Sequence, residues 1–505
     1  MKNLKRILCV ALILALAVSC FTGCKGGASE LDLEDEVFTS SEWETVGGEG
    51  GSNKTSTITQ GGNGGDENSP WQGAEAAPDR NIENPLSVDL KGKTITVYGV
   101  GAEKPDASKS KTDQALEKMY TNIEKKMNCK IKFVPATFEQ VKEKTLLNTM
   151  SNTYFADIVR VQQYGVLNMV TSNNVYNLKD VSTVSLAEGY MNAGDGVNAF
   201  HLGSGYWAVN DPVSLSNTGH VIFFNKRIMK EVTKDADHPY KLMKQGKWNI
   251  SALRDLNKKA TKELNGDGKI TDADQLGMIQ IDIGTAGYSA LLQACGAQML
   301  VNNKGLIKYN MEDKNVLSAI NLGTDLFYKD NTCLGMNDSP AQKAFMSGHA
   351  LFLSGAMGNA TVVSDMKDDF GIVPFPHGDN KKDYSVATNW NCQTMLLPVS
   401  LDKERVKVAG AYLQAYNYSV QDVIKDKYEE WGIRYLRDEK SVDNLWIGYT
   451  SQVTTMANAA SAGTAIQEGT YRSCYSAATK SPATTIQENK NAAIKAIEDI
   501  NKKLK

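Results

Sequence analysis

The chain has almost no surplus of charge: 55 lysines and arginines stand against 58 aspartates and glutamates. That balance removes the electrostatic footprint by which proteins engage nucleic acid, so no nucleic-acid partner is expected. Catalytic signatures are missing too. There is no HExxH, GxSxG or Walker-type loop, and the five histidines, His201, His220, His238, His349 and His377, show no ligand spacing. The chain therefore reads as a non-enzyme. Cysteine is sparse: after residue 24 there remain Cys129, Cys295, Cys333, Cys392 and Cys474, odd in number and without CxxC pairs. A disulfide framework is argued against, and buried free thiols are expected.

What is present begins with an export signal. Lys2, Lys5 and Arg6 precede an apolar stretch from Ile7 to Val18, the length of a signal-peptide core and too short to span a bilayer. "FTGC" then sets small residues before Cys24 and resembles the lipobox of bacterial lipoproteins, whose cysteine is acylated and becomes the mature N-terminus. "AVSC", ending at Cys20, is a second candidate. Residues 1–23 are read as a lipoprotein signal peptide and Cys24 as the lipidated, palmitate-bearing residue. Residues 24–85 are dominated by Gly, Ser, Thr, Asn, Asp and Glu, with "GGEGGS" and "GGNGGDENS" among them. Such a stretch buries too little apolar surface to offset chain entropy and is read as a disordered tether. The expected location is the outer face of the cell membrane, held by the N-terminal lipid.

The body, from residue 86 to 505, exceeds the usual size of one domain, so two lobes are expected. "KTITVYGVG" alternates as a strand, and "TDQALEKMYTNIEKKMN" follows with Leu116, Met119, Tyr120, Ile123 and Met127 at helical spacing. "CKIKFVPA" is a second strand, "FEQVKEKTLLNTMSN" a second helix and "ADIVRV" a third strand. This alternation predicts an α/β fold with a largely parallel sheet, whose ligands gather beyond the strands' carboxyl ends.

Several segments resemble family 1 extracellular solute-binding proteins, the maltose-binding-like group, and occur in that family's order. They are "ADIVRVQQYGVLNMVTSNNVYNLKDV", "GHVIFFNKRIMKE" with Phe224 where the family has Tyr, "WNISALRDLNKKATK", "AFMSGHALFLSG", "FGIVPFP" and "RVKVAGAYLQAY". The resemblance implies a two-lobed, periplasmic-binding-protein-like (type II) fold with an interlobe hinge. Lobe one would comprise residues 86–221 plus 372–425, and lobe two residues 222–371 plus 426–505. It further implies a monomer that captures a small solute, a sugar or oligosaccharide, in the cleft and delivers it to the permease subunits of an ABC importer. The alternatives are a surface carbohydrate-active enzyme, or a sensory or adhesive binding protein without an importer.

Sugar sites stack aromatic rings beside planar polar side chains. On that chemistry the candidates are Gln163 and Tyr164 after the third strand, Tyr206 and Trp207 before the hinge, Trp390 and Asn391 near the return crossing, and Trp446. The family also turns the "SGAMGN" segment toward the cleft, here without an aromatic. "ELNGDGKITDAD" resembles a calcium loop: Glu263, Asn265, Asp267, the Lys269 carbonyl, Thr271 and Asp274 occupy the six liganding places, with Gly268 at the turn. It departs in having Glu first and Asp last. The two readings are a structural calcium bracing lobe two and a tight turn; no cofactor is required.

Overall fold

The computed structural model describes Arg80 and residues 82–460, 464–475 and 480–505. The signal segment, Cys20, Cys24 and nearly all of the tether lie outside the described residues. Among the described residues no helix is long and apolar enough to cross a membrane.

The first elements follow the sequence pattern closely. Strand β1 (Lys93–Gly99) buries alternate residues. Helix α1 (Lys111–Lys126) is capped by Ser110, which accepts from the Asp113 amide, and it buries Leu116, Met119 and Ile123 along one stripe. After β2 (Cys129–Pro135), helix α2 (Phe138–Ser151) opens with a reciprocal Thr137–Gln140 capping box and stops at Asn152, whose φ of 48° is left-handed. Strand β3 (Ile158–Gln162) leads directly into α3 (Gln163–Thr171).

Two five-stranded sheets result. With β4 (Val209–Asn210) and β10 (Gln393–Leu396), the first has the order β2-β1-β3-β10-β4. The second contains β5 (His220–Asn225), β6 (Leu276–Ile281), β7 (Cys333–Met336), β8 (Ala350–Ala356) and β9 (Phe370–Pro374), in the order β7-β6-β8-β5-β9. In β5, β6 and β9 every residue is buried, because both faces of that sheet are covered.

Neither sheet is wholly parallel. β1, β2 and β3 run together and β10 opposes β3, while β6, β7 and β8 run together and β5 opposes β8. The reversed strand in each sheet is the one that follows a crossing. β4 ends at the edge where β3 ends, α4 (Pro212–Thr218) carries the chain over, and β5 must then start at an edge where the parallel strands finish. β10 repeats this geometry in the opposite direction.

These pairings shift the expected lobe boundaries. All of β5 pairs within the second sheet, so the first crossing ends before His220 and not between Val221 and Ile222. All of β9 does too, so the return follows Pro374 and not Gly371. The long helix α5 (Lys403–Arg434) runs past Lys425 before α6 (Glu439–Thr450) fastens to the second sheet, where Asn444 donates to the Ile372 carbonyl at 2.7 Å. The chain then pairs Gln452–Val453 with Val386–Ala387, and α7 (Met456–Ala460) lies against α3 of lobe one. Helix α8 (Pro482–Leu504) closes the described chain against the 306–309 strand, with Asn501 bonded both ways to Ile307.

The body also starts earlier than residue 86. Arg80 donates to the carbonyls of Val184 and Lys179 at 2.5 Å each, and its amide donates to Ser185 Oγ. Cys129, Cys333, Cys392 and Cys474 are buried free thiols, and Cys295 is partly exposed. Burial pushes the Cys392 thiol up to about 12.

A buried charge pair locks lobe one. Asp157, fully buried, takes Arg405 Nε at 2.5 Å and Nη2 at 2.7 Å, and also accepts the Thr96 amide at 2.8 Å, joining β1, β3 and the first turn of α5. Removing one partner strands the other charge, so Asp157→Ala is expected to cost about 3 kcal/mol, read as a lower urea midpoint for the whole body. A midpoint within error of the parent would refute this role.

Candidate functional site

The crossing rule places the carboxyl ends of the parallel strands of both sheets at the edges joined by the crossings, where ligands of such sheets gather. At the lobe-one edge, the first turn of α3 presents Tyr164 and the segment before β10 presents Trp390. Their ring centroids are 5.2 Å apart, and Phe138, at the start of α2, packs on Tyr164 at 4.7 Å. All three rings are half-buried, and Asn391 beside them is exposed. An amphipathic wall with an adjoining amide can stack a sugar's apolar face and bond its hydroxyls.

At the lobe-two edge, Asp282 stands exposed one residue beyond β6. Its φ of 48° is left-handed, and its carboxylate caps the following turn, accepting the Thr285 amide at 3.0 Å and the Thr285 hydroxyl. Asp282 and Phe138 were absent from the candidates read from sequence. The signal for Asp282 was an acid immediately after a six-residue, mostly apolar strand.

The acid at the opposite edge is engaged structurally. Asp211 is buried, ion-paired with Arg160, and accepts the Tyr416 hydroxyl at 2.9 Å and the Val213 amide at 3.0 Å. A glycosidase needs two carboxyl groups poised across its substrate. Asp211 cannot supply one.

The structure brings the Tyr164 and Trp390 rings together, with Asn391 next along the chain, and engages the other candidates with other partners. Gln163 is fully buried and bonds Asn210, Thr388 and Thr454, so it offers nothing to a solute. As the first helical residue after β3, it points into the body while its neighbour Tyr164 points along the edge. Tyr206 is 1% exposed and stacks on His201 at 4.5 Å within a short hairpin. Trp207 is half-buried and donates its indole N–H to the Leu202 carbonyl at 2.7 Å. Trp446 lies half-buried on α6 among Tyr428 and Tyr449, at 6.3 and 5.5 Å, and its Nε1 has no hydrogen-bond partner among the described residues. The "SGAMGN" turn is fastened to the first crossing: the Met357 amide donates to the Gly219 carbonyl and the Gly358 amide to that of Asn217.

In the 263–274 loop, Glu263 Oε1 accepts the amides of Asn265, Gly266 and Asp267, while Asp274 accepts those of Leu264 and Thr271. Asn265 and Asp267 cap Asp267 and Lys269 in turn. The side-chain oxygens expected to ligate calcium thus face the loop's own amides. Among the described residues no three His, Cys, Asp or Glu side chains gather as a metal site.

Beneath the lobe-two edge, His220 Nε2 lies 3.1 Å from Ser354 Oγ and 3.0 Å from Gln280 Nε2, joining three strands of the second sheet. Burial pushes the imidazole down to about 4. An unfolded histidine takes its proton near ~6.5, so the folded state resists a proton that the unfolded state accepts. Stability from this group is complete above pH ~6.5 and is lost as pH falls toward 4, by about 3 kcal/mol in all. His220→Asn should remove that portion of the slope in a series of unfolding midpoints; an unchanged slope would assign it elsewhere.

No family model and no curated protein matches the chain. Solved structures do. A maltose/maltodextrin-binding domain from Bdellovibrio bacteriovorus bound to maltotriose aligns at 17% identity over 80% of this chain and 100% of its own, with a TM-score of 0.52. A cyclo/maltodextrin-binding protein complexed with maltotetraose aligns at 15% identity over 81% and 98%, with a TM-score of 0.58. An ABC substrate-binding protein from Listeria monocytogenes in complex with cycloalternan aligns at 13% identity over 81% and 100%, with a TM-score of 0.53. The body of this chain has the two-lobed fold of the maltose- and maltodextrin-binding type of ABC solute-binding protein.

Proposed function

We propose that this protein is an extracytoplasmic solute-binding lipoprotein that captures a sugar or oligosaccharide between its lobes and hands it to an ABC importer. The observation that carries the reading is the Tyr164–Trp390 wall with Asn391 at the lobe-one edge, in a fold whose solved neighbours hold maltotriose, maltotetraose and cycloalternan. Asp282 supplies an acceptor for hydroxyls from the lobe-two edge. Lipid attachment at Cys24, a location on the outer membrane face and delivery to permease subunits belong to the same proposal. They rest on the N-terminal sequence and on the fold.

The test is a thermal-shift screen of the full chain against mono- and oligosaccharides, amino acids and peptides. A solute that binds only the folded form raises the melting temperature with concentration. The expected result is a saturable rise from one class of glycan, recovered uncleaved, with Trp390→Ala weakening the apparent affinity about tenfold or more. A shift from amino acids or peptides alone would overturn the sugar assignment. Cleaved glycan would replace capture with catalysis.

A structural calcium ion in the 263–274 loop is proposed on the order of its donors, bracing lobe two without touching the solute. Chelator should then lower the melting temperature while leaving sugar affinity unchanged. An identical melting curve with calcium and with chelator would leave the loop as a turn closed by its own amides.

A further inference from the structure

Gln163 sits where the connections between the lobes meet. Its Nε2 donates to Asn210 Oδ1 at 2.9 Å and to Thr454 Oγ1 at 3.2 Å, and its Oε1 accepts from Thr388 Oγ1 at 2.9 Å. Asn210 ends β4, from which the first crossing leaves. Thr388 lies in the return from β9 to β10, and Thr454 follows the strand pair that joins the return to the late chain. One amide thus bonds residues beside three of the passages between the sheets, the exception being that from α5 to α6.

The group is buried and closed. Gln163, Thr388 and Thr454 are fully buried and Asn210 is 1% exposed. Both donors and the acceptor of the Gln163 amide are used, so it has one orientation that satisfies every partner. The partners are cross-braced: Asn210 Nδ2 donates to Thr454 Oγ1 at 2.8 Å and to the Ala193 carbonyl at 2.9 Å, and Asn458 Nδ2 donates to the Thr388 carbonyl at 2.5 Å.

The same amide adjoins the aromatic wall along the chain on both sides. Gln163 immediately precedes Tyr164, and Thr388 stands two residues before Trp390. The Gln163 backbone amide also donates to the Cys392 carbonyl at 2.9 Å, holding the segment that carries Trp390 and Asn391 against the start of α3. A solute that resets the separation of Tyr164 and Trp390 must move the first turn of α3 against the 388–392 segment. The side-chain bond spanning those two pieces is Thr388 to Gln163.

We propose that Gln163 is a positioning residue for lobe closure: its buried amide is the fulcrum on which the crossings turn, and its bond to Thr388 transmits occupancy of the Tyr164–Trp390 wall to that fulcrum. This deepens the solute-capture reading and rests on it only for what triggers the motion. The preferred lobe angle of the free protein depends on the amide whatever the solute is.

Two near-isosteric variants separate the parts. Gln163→Glu removes the donors to Asn210 and Thr454 while keeping an acceptor for Thr388. Thr388→Val removes the donor to Gln163 at nearly constant volume. Interlobe distance is read in the full chain by single-pair fluorescence transfer between dyes on unnatural amino acids replacing the exposed Lys125 of lobe one and Lys247 of lobe two. Maltotriose and maltotetraose serve as probes, and Asp157→Ala is the control for destabilisation far from the crossings.

Gln163→Glu is expected to shift or broaden the ligand-free distance distribution, and Asp157→Ala to leave it unchanged at a comparable loss of melting temperature. Thr388→Val is expected to weaken sugar affinity about tenfold and to reduce the fraction of closed molecules at saturation. If both variants lower the melting temperature but keep the parent's distances and closure, Gln163 is a packing residue and the proposal fails. If neither sugar binds the parent, the capture reading loses its support. The ligand-free distributions of Gln163→Glu and Asp157→Ala still decide the fulcrum: a shift confined to Gln163→Glu upholds it, and equal distributions overturn it.

Discussion

At both crossings that end in a strand, into β5 and into β10, the chain leaves and arrives at the same edge, and most of the molecule's features follow from that constraint. The arriving strand must run against the parallel strands already ending there, which is why β5 and β10 are the reversed members of their sheets. Strand ends from both lobes therefore gather where the connections lie. Interior backbone and side chains at that place need polar partners, because an unsatisfied buried group costs more than a hydrogen bond returns. Amides and hydroxyls, from Gln163, Asn210, Thr388 and Thr454 on one side and from Ser354 and Gln280 around His220 on the other, fill that need.

Charge and neutrality are distributed differently between lobe and hinge. Within lobe one, Asp157 with Arg405 and Asp211 with Arg160 bind helices and strands through buried ion pairs. Separating such charges is far costlier than stretching a neutral bond, so these pairs resist deformation. Around Gln163, between β4 and the 388–392 segment, the bonds are between neutral groups. Lys427 lies at the boundary: its amine reaches the end of α4 through Ser216 Oγ at 2.8 Å and Asn217 Oδ1 at 2.5 Å, and burial pulls it down to about 7.

The elements of lobe one could be read from the sequence because their cues are local. The capping box at Thr137 and Gln140, the 3.6-residue stripe of α1 and the alternation in β1 each lie within a few residues. Lobe boundaries could not be placed to the residue, since "FGIVP" is equally apolar in either sheet and its membership is fixed by pairing with β5, far away in sequence. The site was half legible. Tyr164 and Trp390 follow from strand ends, but that Gln163 turns inward beside an outward Tyr164 depends on how α3 leaves β3. Tyr206 and Trp207 look like surface rings until a short hairpin folds them onto His201 and Leu202. In the 263–274 loop the order of donors is visible, whereas the direction in which each carboxylate turns is a matter of rotamer.

The docking of Arg80 on the carbonyls of Lys179 and Val184 fixes where the upstream chain joins the body. The segment it grips is itself bound to α5 of lobe one, through the Ser185 amide and the Gln414 side chain at 3.0 Å. Mechanical load along the N-terminal chain therefore enters through one lobe. It reaches lobe two only through the connections between the sheets.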